Sequence, residues 1–106
     1  MTPTPDQVTR LIALARERLG ADVSDAEYAL RWAKAWIGTI TDGPLNSPLY
    51  LRLAADSATL AVLRAYNSPA TPPHEGLCAV RVWATTGDIP ALIAALEALP
   101  SKETHA

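Results

Sequence analysis

The sequence predicts an all-α fold: one small domain over residues 1–106, with four helices and a long apolar helix at its centre. Apolar residues recur at helical spacing in three other segments, and cap residues precede them. Residues 48–67 are apolar around most of a helix circumference, which is typical of a helix packed on more than one side. A chain of 106 residues with 49% apolar side chains can also bury a modest core.

The first helix is predicted over about residues 5–19. Thr4 is suited to the N-cap, Pro5 to the first helical position, and Gln7 completes a capping box. Gly20 is a suitable C-terminal stop. The apolar stripe of this amphipathic helix consists of Val8, Leu11, Ile12, Ala15 and Leu19.

The second helix is predicted over about residues 25–40, with a capping box from Ser24 to Glu27. Tyr28 and Trp32 are four residues apart and lie beyond the edge of the inner apolar stripe, so they need either a second packing neighbour or another chain. Trp36 is expected to fill the core. The inner stripe consists of Ala26, Leu30, Ala33, Ile37 and Ile40.

The central helix is predicted over about residues 48–67, with Ser47 as its N-cap and Pro48 at its first position. Its polar stripe is narrow and consists of Arg52, Asp56 and Thr59. The spacing of Arg52 and Asp56 favours an exposed ion pair within the helix over a polar contact with a partner.

An extended arm is predicted over about residues 68–86. Prolines at positions 69, 72 and 73 exclude a helix at its start. Residues 77–84 alternate, which predicts a short strand with Val80 and Val82 on one face and Arg81 and Trp83 on the other. Such a strand has no evident partner in the chain, so it is a misassignment, an extended arm, or a strand that pairs with another molecule.

The last helix is predicted over about residues 89–99, with Asp88 as its N-cap and Pro90 in its first turn. Pro100 ends it, and residues 100–106 are expected to form a loose tail. Its apolar face consists of Ile89, Leu92, Ile93, Leu96 and Leu99.

Composition narrows the classes of function. The net charge of −2 gives no field that would attract nucleic acid or an anionic membrane. No apolar run is long enough to span a membrane, and the N-terminus does not resemble a signal peptide, so a soluble protein made in the cytoplasm is expected. Cys78 is the only cysteine, which rules out an internal disulfide.

No catalytic, cofactor-binding or metal-binding residues are predicted, and the protein is not expected to be an enzyme. His74 and Cys78 are four residues apart, but a nucleophilic pair needs rigid support and an orienting third group, and a closed zinc site needs four ligands. His105 lies in the tail. Tryptophan and arginine are enriched at interfaces, so the candidates are interface residues. They are Trp83, Arg81, Val80, Val82, Tyr28 and Trp32.

The order of elements resembles that of tailed-phage head–tail connector proteins, the adaptor and head-completion proteins. Residues 24–39 are similar to the acidic-start second helix of that family, which ends in a Thr/Gly/Pro turn. Residues 48–69 are similar to its long Ala/Leu-rich helix, which is followed by an Asn-Pro-like segment. The resemblance covers about residues 5–76, and the Ala/Arg-rich composition is similar to that of actinobacteriophage members.

The resemblance implies a structural virion protein without catalytic residues. Copies would form a ring, typically twelve-fold, between the portal protein and a tail-side stopper or tail-terminator protein. DNA would pass through as cargo only. The protein would lie in the virion, and in the host cytoplasm during assembly. The predicted strand and the Ala-rich last helix would pack on the neighbouring subunit or on the portal.

The alternative is a small helical protein-interaction module, antitoxin-like or of the WXG100 secreted type. Trp36-Ile37-Gly38 resembles the Trp-x-Gly bend of the WXG100 helical hairpin. The chain departs from that family because residues 39–47 are predicted to form a loop rich in glycine and proline. In addition, none of its tyrosines has an acidic residue four positions later.

Overall fold

The computed structural model describes residues 3–37, 47–67 and 76–100. These residues contain five helices and no strand. The fold is therefore all-α, as predicted, with one helix more than expected. The helices are α1 (Pro5–Leu19), α2 (Ser24–Ile37), α3 (Ser47–Tyr66), α4 (Leu77–Thr86) and α5 (Ile89–Glu97).

Helix α1 has the predicted bounds and the predicted caps. The Thr4 hydroxyl oxygen accepts a hydrogen bond from the Gln7 amide at 3.1 Å, and the Gln7 side-chain oxygen accepts one from the Thr4 amide at 2.9 Å. Gly20 ends the helix at φ 64°, the left-handed conformation that glycine adopts without a Cβ clash. All five residues of the predicted apolar stripe are buried.

The N-terminus of α2 differs from the prediction. The carboxylate of Asp22 accepts hydrogen bonds from both the amide and the hydroxyl of Ser24, at 3.1 and 2.6 Å. Glu27 instead meets Arg16 of α1 at 3.3 Å, so the predicted Ser24–Glu27 capping box is wrong. Asp22 displaces it because its carboxylate is the stronger acceptor and already lies beside the first helical turn. The predicted extension of this helix to residue 40 lies outside the described residues.

Helix α3 packs against α1, α2 and α4, so it is covered on more than one side. Its buried positions are occupied mainly by alanines, which allow neighbouring helix backbones to approach closely. These alanines are Ala54, Ala55, Ala58 and Ala61. Helix α1 also packs against three helices, namely α2, α3 and α5.

Residues 77–86 form helix α4, so the predicted strand and the arm through residue 86 are wrong. Three apolar residues at helical spacing, Leu77, Val80 and Ala84, are the buried ones. The helix satisfies its backbone groups internally, which a strand without a partner cannot do. Gly87 ends it at φ 75°, with its amide donating to the Trp83 carbonyl at 3.1 Å. The preceding part of the predicted arm, residues 68–75, lies outside the described residues.

Helix α5 begins as predicted, with the Asp88 carboxylate accepting a hydrogen bond from the Ala91 amide at 3.1 Å. It ends at Glu97, two residues earlier than expected, and Leu99 is nevertheless buried. Glu97 meets Arg10 of α1 at 2.9 Å. Among the described residues, the buried apolar side chains form one cluster, and no helix is both long and apolar enough to cross a membrane.

Candidate interaction surfaces

An aromatic cluster lies on the surface where α2 meets the start of α3. Tyr28 is 60% exposed and Trp32 is 40% exposed. Their ring centroids are 6.3 Å apart with an edge-on interplanar angle of 65°. Trp32 also stacks on the half-buried Tyr50 of α3 at 6.2 Å and 23°. The two ring contacts fix Trp32 in place while leaving much of it in water, and a rigid exposed aromatic is typical of interface anchors.

Three exposed leucines extend this surface along α3. Leu49, Leu53 and Leu60 are spaced at i, i+4 and i+11, so they share one stripe of the helix. Leu53 is 45% exposed. We call the surface formed by these leucines together with Tyr28 and Trp32 the α2–α3 face. Helix α3 therefore buries mainly alanines and exposes three of its leucines, although Leu51 and Val62 are buried.

A second apolar surface lies on α4. Val82 is 52% exposed and Trp83 is 36% exposed, and Ala79 lies beside both at helical spacing. We call these three residues the α4 face. Arg81 lies outside this face, about 160° around the helix from both Ala79 and Trp83. Its guanidinium carbon is 5.4 Å from the ring centroid of Tyr66, a cation–π contact with the end of α3.

Because residues 77–86 form a helix and not a strand, the predicted interface residues of this segment point in different directions from those expected. Arg81 and Trp83 were predicted to share a face, but they are separated by about 200° around a helix, so they lie on opposite flanks of Val82. Val80 is fully buried in the core and is not a surface residue. Val80 and Val82 were predicted to point the same way, and the helix separates them.

The two faces lie on different helices. Tyr50 of α3 supports the α2–α3 face, and Tyr66 at the end of α3 contacts Arg81 of α4. The protein thus carries two unlike apolar surfaces, one on α2 and α3 and one on α4.

A groove of about 420 Å³ lies between the start of α1, the middle of α3 and the turn between α4 and α5. Its polar groups already have partners. Asp88 caps α5, Arg52 and Asp56 form the predicted ion pair at 3.8 Å, and the Thr59 hydroxyl donates to the Asp56 carbonyl at 2.8 Å. The groove is lined by Pro3, Gln7, Arg52, Ala55, Asp56, Thr59, Gly87, Asp88, Ile89 and Pro90.

The groups considered for catalysis or metal binding are not assembled into a site in the described part of the chain. Cys78 is exposed on α4. His74 and His105 lie outside the described residues, as does the side chain of Trp36. Within residues 3–37, 47–67 and 76–100, no three His, Cys, Asp or Glu side chains lie close enough to hold a metal ion.

Sequence reasoning found Tyr28 and Trp32 but missed the leucine stripe of α3 and the two supporting tyrosines. The fold and these surfaces define a small all-helical protein with two separate apolar faces. None of the protein-family models, curated proteins or solved structures compared with this chain matches it.

Proposed function

We propose that this protein is a structural subunit of the head-to-tail connector ring between the portal and the tail of a tailed phage. The observation that carries the proposal is the pair of unlike apolar faces on one small helical domain. A ring is built from heterologous contacts, in which one surface of each copy meets a different surface of the next. A subunit therefore needs two unlike faces pointing in different directions.

The resemblance of the sequence to connector proteins supports the same proposal. Helices α2 and α3 cover the two segments that carry it, at residues 24–37 and 47–66. In this function the protein contributes shape and contact surfaces rather than chemistry. Its partners are other copies of itself, the portal protein and a tail-side stopper or tail-terminator protein, with DNA passing through the lumen.

The low net charge is compatible with such a channel. A chain with a net charge of −2 has no strong field that would hold DNA by its phosphates. DNA could therefore move past the ring during packaging and ejection without being gripped. The proposed location is the virion, with assembly in the host cytoplasm.

The experiment that tests the proposal is assembly with the portal protein encoded in the same genome. The two purified proteins are mixed and separated by size-exclusion chromatography with light scattering, and the complex is imaged by electron microscopy. A ring of this protein seated on the portal ring is expected. A protein that stays monomeric with the portal present, at concentrations well above micromolar, would contradict the proposal.

The second candidate is a small helical interaction module, antitoxin-like or of the WXG100 type. The ordered stack of Tyr28, Trp32 and Tyr50 favours it, because one such cluster is enough to dock a single partner. A one-to-one complex with a single helical partner, together with no affinity for portal, would favour this candidate.

A further inference from the structure

We draw no further inference here: the strongest candidate, the exposed α2–α3 face with Tyr28, Trp32 and the leucine stripe of α3, carries none, because nothing in the structure shows what covers it.

Discussion

Truncating Val80 and Val82 separately tests the helical assignment of α4. Val80 is fully buried, whereas Val82 is half exposed. Val80→Ala removes two fully buried methyl groups, each contributing roughly 0.8 kcal/mol, and the cavity adds to the cost. The higher helix propensity of alanine offsets less than about 0.7 kcal/mol of this loss. We expect Val80→Ala to lower the free energy of unfolding by about 2 kcal/mol and Val82→Ala to change it by less than about 0.5 kcal/mol.

Urea denaturation followed by circular dichroism at the helical band measures both values under the same conditions. Unchanged slopes with a shifted midpoint would show that stability alone has changed. In a chain of this size, the Val80→Ala loss should lower the melting temperature by roughly 8–15 °C. Equal losses for the two variants would refute the reasoning, because a strand places residues 80 and 82 on the same face and a helix does not.

Three further predictions concern turns and caps. Gly87→Ala should lower the free energy of unfolding, measured by thermal melts, by about 1–2 kcal/mol. The positive φ is the only cause, because a Cβ at this position meets no atom within 4 Å. Gly87→Asn should cost less, because asparagine adopts positive φ more readily than alanine. Asp88→Ala removes the N-cap of α5 and should lower the free energy of unfolding by about 0.5–2 kcal/mol. Asp88→Ser keeps a capping oxygen and should retain most of that stability. Hydrogen bonds from Ser24, with a smaller effect of Arg64, lower the pKa of Asp22. The Asp22 carboxylate therefore stabilises the fold at pH values above the ordinary aspartate pKa. This stabilisation is lost as the pH falls through the lowered pKa of Asp22. In Asp22→Asn, the free energy of unfolding should therefore depend less steeply on pH below about pH 4. Urea titrations at several pH values measure this dependence, and the same pH dependence in the variant and the wild type would rule the prediction out.

Local signals predicted α1 and the start of α5 because their caps are short-range. Thr4 and Gln7 are three residues apart, and Asp88 lies three residues before the Ala91 amide that it caps, so neighbouring residues decide these helix ends. The predicted cap of α2 is wrong because two side-chain acceptors, those of Asp22 and Ser24, are available at this helix start. Asp22 lies two residues before the expected cap Ser24, and sequence spacing does not rank it above Ser24.

The segment of α4 was wrongly predicted as a strand because its apolar residues fit both a strand repeat and a helix repeat. Cys78, Val80, Val82 and Ala84 alternate as in a strand, while Leu77, Val80 and Ala84 repeat as in a helix. Over eight residues neither pattern excludes the other. Tertiary packing decides, since the helical set is the one buried against α3 and α5.

The α2–α3 face was only half predictable. Tyr28 and Trp32 stood out by their spacing, but the leucines of α3 could not be assigned to the surface from an apolar composition alone. Their spacing opposite Ala54 and Ala58 is the signal that could have found them, because several small residues on one side of a helix indicate the side that packs closely against its neighbours.

The central claim is that copies of this chain assemble head to tail into a closed ring on a portal. Native mass spectrometry of the saturated complex with portal tests it most directly, because it counts bound copies in units of 11.3 kDa. A closed ring predicts one fixed whole number of copies for each portal ring, with no partly filled rings at saturation. A broad distribution of copy numbers, or a portal that binds none, would contradict it.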